Sequence, residues 1–204
     1  STDKNNNSTF KVGSQSILVK NNSEVTLTGS GGDTIYSGGV FTDSTKTFVK
    51  VLSSFNGTIN LATYGVTKAD AALTGKAVTI QGTASADSML GGSNNDKIFG
   101  DAGNDTLTGG KGNDSLWGGN GSDTFIFQAG DGTDTVMDYQ SGELLTILDK
   151  NGDIGSFSKS AFNNNTLTLT INGGGSLVLK NVTDSTSFNV NGANWKVSGK
   201  VLAK

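Results

Sequence analysis

An aspartate recurs every nine residues through the middle of this chain, at Asp87, Asp96, Asp105, Asp114 and Asp123, and a sixth, Asp134, follows two residues late. Two places after each stands an apolar residue: Met89, Ile98, Leu107, Leu116, Phe125 and Val136. A fixed period of this kind marks a stacked architecture, in which one unit cannot bury its apolar residue alone and leans on its neighbours. A flexible Gly/Asn/Asp linker has no need of an apolar residue at a constant offset.

Each unit divides into two parts. The first six residues are glycine-rich and end in aspartate, the composition of a tight turn with positive φ. The last three read x-U-x with U apolar, a minimal strand whose middle side chain points inward. Two units then make one full coil with a turn on each side, so turns on the same side lie eighteen residues apart. Asp87, Asp105 and Asp123 stack along one edge, and Asp96, Asp114 and Asp134 along the other.

Such stacking sets carboxylates about 4.8 Å apart, the usual strand separation. Like charges so placed repel unless something neutralises them. A hard divalent cation held by carboxylate and carbonyl oxygens does so. Calcium accepts six to eight oxygen ligands in flexible geometry, whereas magnesium demands a near-ideal octahedron and keeps its waters. A turn of carbonyls with one Asp from each of two stacked units suits calcium better. The apolar core of such a coil is one residue thick, so metal binding is expected to supply folding free energy.

These units resemble the GGxGxDxUx nonapeptides of the RTX (repeats-in-toxin) family. Residues 109–117 and 118–126 match in full; 100–108 carries Asp101 at the second glycine, 91–99 has Asn94 at the third, 129–137 begins with Ala129, and 82–90 keeps Gly82 but has Thr83 and Ser85 where glycines belong. The resemblance implies an all-β fold, a parallel β-roll (a calcium-binding β-solenoid), over residues 79–138. A polar tail at 1–8 and a β-rich region at 9–78 precede it, and a β cap at 139–204 follows. The expected metal ligands are the six repeat aspartates with Gly82; Gly91, Gly92, Ser93 and Asn94; Gly100, Asp101, Ala102 and Gly103; Gly109, Gly110, Lys111 and Gly112; and Gly118, Gly119, Asn120 and Gly121. Units eighteen residues apart give three sites, and a fourth depends on how the two-residue insertion before Asp134 is absorbed. Asp131 and Asp138 either ligate or are solvated charges.

Outside the repeats the signals are shorter. Residues 10–12, 17–19, 25–27, 48–52, 59–61 and 78–80 read as strands, with one helical turn near 68–73. Residues 28–36 repeat the motif once, with Asp33 and Ile35 in place, but lack a partner eighteen residues away, so a plain turn is the better reading. Residues 149–160 resemble an EF-hand loop, yet Ile154 replaces its glycine and Ser160 its glutamate, which favours a polar turn. Residues 166–172 and 176–182 alternate cleanly, with Leu167, Leu169, Ile171, Leu177 and Leu179 on the buried face. Trp117 and Trp195 are read as packing residues rather than sugar platforms.

Composition narrows the function. The chain has 204 residues with net charge −3, no His, no Cys and no Arg. Between Asp87 and Asp138 there are nine Asp and two Lys, which excludes a basic stripe for nucleic acid. Without His and Cys the usual general base, thiol nucleophile and zinc ligands are missing, and no catalytic motif is present, so no enzyme is expected. No stretch has the length of a transmembrane segment. The chain does not begin with Met and shows no amino-terminal signal, as expected of part of a longer protein. Among RTX proteins a cap of this kind commonly ends in an uncleaved signal for type I export, although GKVLAK here finishes with lysine. The resemblance thus implies a calcium-folded module of a secreted or bacterial cell-surface protein, handled by the type I secretion machinery of the cell envelope. A surface-layer or adhesion module meeting a glycan or a neighbouring subunit is the alternative.

Overall fold

The computed structural model describes residues 8–12, 15–19, 25–27, 34–37, 40–43, 49–51, 55, 57–72, 74–198 and 201–203, with side chains described at 49–50, 55, 57–72, 74–158 and 160–198. The tail at 1–7, Asp33 and the last lysine lie outside them, and Ser8 already belongs to the strand Ser8–Val12.

The repeat strands are three residues long, as x-U-x dictates, and the glycine-rich turns between them send successive strands to opposite sides of the coil. Ser88–Leu90, Thr106–Thr108, Thr124–Gln128 and Leu144–Leu148 pair in parallel in one sheet. Thr79–Gln81, Lys97–Phe99, Ser115–Trp117 and Thr133–Val136 pair in parallel in the other. Two apolar columns therefore face each other across the interior. One runs Met89, Leu107, Phe125, Leu145; the other Ile80, Ile98, Leu116, Val136; all are at most 1% exposed. Burying one such side chain contributes about 1.5–3 kcal/mol.

Parallel pairing extends past 79–138 at both ends. Upstream, Val49 pairs with Ala69 and Ala69 with Met89, while Ile59 pairs with Ile80. The coil thus starts before Ile80, where the sequence pattern places its first strand. Those earlier steps are twenty and twenty-one residues rather than eighteen, so the periodicity does not reveal them. The extra length holds a one-turn helix, Leu61–Tyr64, capped by the Asn60 side chain and ended by Gly65 at φ 66°. The expected helical turn near 68–73 is instead the strand Lys68–Asp70, which lies in the parallel sheet and buries Ala69. Downstream, Ser176–Lys180 pairs in parallel with Thr133–Val136, and Ser187–Val190 with Leu144–Leu148.

Antiparallel strands then finish each sheet. Phe157–Asn163, Thr166–Ile171 and Ser176–Lys180 form a meander whose inner face is Leu167, Leu169, Ile171, Leu177 and Leu179, all buried as the alternation predicts. Ser187–Val190, Ala193–Ser198 and Val201–Ala203 do the same for the other sheet. At the opposite end, Val25–Leu27, Thr34–Ser37, Val40–Asp43 and Val49–Val51 form an antiparallel meander. Thr34–Ser37, an antiparallel strand, falls in the motif copy that the sequence favours as a plain turn, and Val40–Asp43 has no counterpart in the sequence reading. Antiparallel additions of this kind cover coil strands that would otherwise be open, at both ends of one sheet and at the downstream end of the other, whose upstream edge among the described residues is Thr58–Asn60.

If the coil begins upstream of the repeats, Ile59→Ala should act as a core truncation. It should lower the stability of the calcium-loaded protein by about 2–5 kcal/mol in urea unfolding. An unchanged midpoint would mean that the coil begins only with the repeats.

Candidate metal centre

Each repeat aspartate stands two residues before its U, immediately ahead of the strand in five units and within Thr133–Val136 in the sixth, so the alternation that turns U inward also turns the aspartate inward, at the rim of the coil. Asp87, Asp96, Asp105, Asp114, Asp123 and Asp134 are all buried. The two columns expected from the spacing are present. On one rim the Asp87 N–H donates to Asp105 Oδ1 at 2.7 Å and the Asp105 N–H to Asp123 Oδ1 at 2.9 Å. On the other the Val78, Asp96 and Asp114 N–H groups donate to Asp96, Asp114 and Asp134 Oδ1 at 2.8, 2.7 and 3.0 Å. Asp134 keeps its place because the longer strand Thr124–Gln128 and the following turn absorb the two added residues. Every column thus fastens one coil to the next by charge-assisted hydrogen bonds.

The second carboxylate oxygen divides the turns into two kinds. Asp87 Oδ2 accepts from the Thr83 N–H at 2.6 Å and from the Thr83 hydroxyl at 3.0 Å, and Asp96 Oδ2 accepts from the Gly92 N–H at 2.6 Å. These two turns close on their own aspartates. In the next three units Oδ2 of Asp105, Asp114 and Asp123 is buried and has no hydrogen-bond donor. Their backbones differ accordingly: Asp101, Gly110 and Gly119, the second residues of these turns, have φ of 72°, 90° and 90°. In the last of these turns the Gly119 N–H donates instead to Asp138 Oδ2 at 3.0 Å. At the first turn position glycine is required for space, since a Cβ on Gly100, Gly109 or Gly118 would overlap the unit's own aspartate carboxylate.

Burial, and after it the neighbouring carboxylates, raises the affinity of these groups for protons. Burial pushes Asp105 up to about 6 from an ordinary 3.8, with Asp123, Asp87 and Asp101 adding to the rise. It pushes Asp114 to about 6 and Asp134 to about 8, each raised further by the other acids of that rim. Asp87, Asp96 and Asp123 are raised by burial as well. Lys97 and Lys111 are exposed, and among the described residues the one salt bridge is Lys50–Asp70, so no lysine neutralises the columns. An orphaned, buried, all-oxygen rim fits a hard dication such as calcium. No three acidic side chains converge among the described residues, and two carboxylates with turn carbonyls are the donor set available at each step.

The expected carbonyl donors lie on the two rims in alternation: Gly82, 100–103 and 118–121 on one, 91–94 and 109–112 on the other. Some of those carbonyls already bind the neighbouring coil. The Lys111 N–H donates to Gly92 O, the Asn120 N–H to Asp101 O and the Gly103 N–H to Asn120 O. Ser93 is tied by its hydroxyl to Thr74 O.

Family comparison agrees with this geometry. The RTX calcium-binding nonapeptide repeat model, which describes four copies, matches residues 79–107 and 99–136. Residues 79–136 are RTX calcium-binding nonapeptide repeats. No curated protein matches the chain.

Around the RTX roll, several residues take parts that motif reading misses or leaves open. Asn95, Asn104 and Asn113, just before their aspartates, form a second ladder: their Oδ1 atoms accept from the N–H of Asn113, Ser122 and Thr133 at 2.8, 3.0 and 2.8 Å. Their constant place in the units is a signal the sequence did offer. Asp138 accepts from the Gly118 and Gly119 N–H groups, each at 3.0 Å, and so anchors a turn. Asp131 lies beside Lys111 as well as beside the acids of its rim. The loop that resembles an EF-hand is a turn in which Asp149 Oδ1 accepts from the Asn151 and Asp153 N–H groups, with Ile154 73% exposed. Trp117 stacks on Phe99 with ring centroids 4.3 Å apart, and Trp195 meets the edge of Phe157 at 5.0 Å.

Two outcomes test the rim. The folded metal-free protein binds protons at Asp105, Asp114 and Asp134 more tightly than the unfolded chain, so this contribution is full below pH 3.8 and is lost as pH rises through about 6 and then about 8. In chelator, the urea midpoint should therefore fall from pH 5 to pH 8, and saturating calcium should abolish the fall. Asp114→Asn should do opposite things in two states. It should stabilise the metal-free protein at pH 8 by relieving a buried charge, and weaken calcium binding on the order of tenfold, about 1.4 kcal/mol, by removing an anionic ligand. Calorimetric titration and chemical unfolding read the two effects.

Proposed function

We propose that the RTX roll is a calcium-triggered folding module of an exported or cell-surface protein. The observation that carries this reading is the set of buried Oδ2 atoms on Asp105, Asp114 and Asp123, which the chain itself leaves without a donor. The ions are held by the repeat aspartates and by carbonyls of the adjoining turns. At low calcium the columns repel and the thin core does not compensate, so the module stays open and suited to passage through a type I export channel. Extracellular calcium modules bind at about 10⁻⁴–10⁻³ M, and a site in that range fills only outside the cell. The bound ions then lock the coil, and the antiparallel ends give the folded module protected edges. On this reading the module has no catalysis of its own; its carboxylates serve the rim. No helix among the described residues is long and apolar enough to cross a membrane.

Far-ultraviolet circular dichroism during calcium titration tests the reading. The β signal should rise with calcium and fall in chelator, and the thermal midpoint should keep rising with calcium concentration above saturation, as binding to the native state alone requires. A β signal indifferent to chelator at pH 8 would refute it. Export is tested separately by fusing the chain to a reporter in a host with and without a type I exporter. Exporter-dependent release supports the assignment, and retention in both hosts refutes it.

A further inference from the structure

The repeat motif spans six turns, yet the first two are built differently from the rest, and the difference extends past the aspartate. In every turn from residue 100 onward the second and fourth residues take positive φ, from 72° at Asp101 to 140° at Gly121. In the turns 82–87 and 91–96 neither position does, at Thr83 and Ser85 or at Gly92 and Asn94. The two kinds of turn therefore follow different backbone paths. The buried side-chain oxygens without a donor divide in the same way. Among the described residues they are Oδ2 of Asp105, Asp114 and Asp123, and Oε1 of Glu143, which stands one coil beyond Asp123 because Thr124 pairs with Leu144. None precedes residue 100.

Each early turn is closed by a neutral group. In 82–87 the agent is Thr83. Its N–H donates to Asp87 Oδ2 at 2.6 Å, and its hydroxyl lies 3.2 Å from Oδ1 and 3.0 Å from Oδ2. Both oxygens of Asp87 thus find a partner within the turn itself. In 91–96 both leading glycines of the motif are intact, so the motif does not account for the closure. The cause lies eighteen residues upstream, at Thr74, which is 1% exposed. The Thr74 N–H donates to Ala71 O and its hydroxyl to Phe55 O, each at 2.9 Å. Thr74 so held lies directly against Gly92, where an added Cβ would come within 2.7 Å of its methyl group and 3.0 Å of its carbonyl. The Ser93 hydroxyl donates to that carbonyl at 3.1 Å. On this path the Gly92 N–H reaches Asp96 Oδ2 at 2.6 Å, while Oδ1 takes the Val78 N–H.

We propose that the turns 82–87 and 91–96 hold no calcium, and that the ions of the roll are confined to the turns from residue 100 onward. The proposal rests on the reading that the RTX rim binds calcium. The motif spacing implies one site between 82–90 and 100–108 and another between 91–99 and 109–117. An ion that took up Asp87 or Asp96 there would displace hydrogen bonds the carboxylate already accepts, and at Asp96 it would disturb the packing on Thr74 as well. At Asp105, Asp114 and Asp123 it meets an oxygen with nothing to displace. The upstream limit of the metal set is then fixed by two threonines, Thr83 on one rim and Thr74 on the other.

Asp87→Asn tests this without opening the turn, because the amide oxygen can accept from the Thr83 N–H while the amide nitrogen donates to the Thr83 hydroxyl. Calorimetric calcium titration at pH 7.5 should be superimposable on that of the wild type. Asp123→Asn removes an orphaned oxygen, and it should weaken at least one step about tenfold. A lost ion or a weakened step in Asp87→Asn overturns the proposal, and so does an unchanged titration in Asp123→Asn. A wild type that binds no calcium overturns the underlying reading too, which separates the two failures. A second measurement needs no variant. Anomalous diffraction from wild-type crystals grown with calcium should place ions only against turns from residue 100 onward, and an ion coordinated by Asp87 or Asp96 overturns the proposal.

Discussion

A buried carboxylate column is the constraint on which this molecule depends. Each repeat aspartate does two jobs that pull in opposite directions. From Asp96 onward its Oδ1 accepts the N–H of the residue one coil back, which fixes the stacking register and needs the charged form. Its burial beside like charges disfavours that same form. A hydrogen bond to a carboxylate contributes about 1.5–3 kcal/mol only if the charge itself is tolerated. On the proposed reading calcium resolves the conflict, since it would leave Oδ1 to the backbone and take up the oxygen that the chain does not satisfy. Protonation resolves it less well, because it withdraws the charge that strengthens the stacking bonds.

The apolar interior cannot take over this role. It consists of two facing columns with one apolar side chain per three-residue strand, thickened at one end by Phe127 and Ile147, and its members are too far apart in sequence to form a core before the coil closes. Where the coil extends beyond the repeats, other devices replace the ion. On the rim of Asp96 the next position upstream is Val78, whose N–H is bonded by Asp96, and the turn above it is held by Thr74, whose hydroxyl donates to Phe55 O at 2.9 Å. At the other end the hairpins supply thicker packing through Leu167, Leu169, Leu177 and Leu179. The outer asparagine ladder adds neutral cross-coil bonds with no charge to neutralise, so it supports the turns in either metal state.

How much of this the sequence discloses follows from what is periodic. The spacing of Asp and U residues is enough to place both columns, both rims and the inward face of each strand, because a three-residue strand allows no other alternation. The ends of the coil are hidden for a physical reason. Val49, Ile59 and Ala69 occupy column positions, but their loops are longer and of a different kind, and an alanine at a column position carries little signal. Glu143 is hidden for a related reason, since it keeps the column's place without the motif's glycines. Yet it shares its twenty-residue step with Asp134 after Asp114, which is a clue that only pairing register makes meaningful. Asp138 could not be assigned from its surroundings in sequence, since nothing there shows that two glycine amides converge on it.

The two kinds of turn give the roll a direction. Near the amino-terminal side, the turns at 82–87 and 91–96 satisfy their aspartates with their own N–H groups and need no left-handed residue. Further on, the turns at 100–105, 109–114 and 118–123 forgo that bond and adopt positive φ, including at Asp101, a non-glycine residue for which this conformation carries strain. Within the repeat turns, the unsatisfied aspartates and the one non-glycine residue at positive φ therefore all lie from residue 100 onward. A turn that closes on itself forms whether or not an ion is present, while a turn that gives up its own hydrogen bond is stable only if an ion replaces it. The closed turns, adjoining the upstream coil with its helix and antiparallel strands, thus offer a surface on which the open turns can stack. On the proposed reading the open turns confine the dependence on calcium to the segment between that surface and the cap.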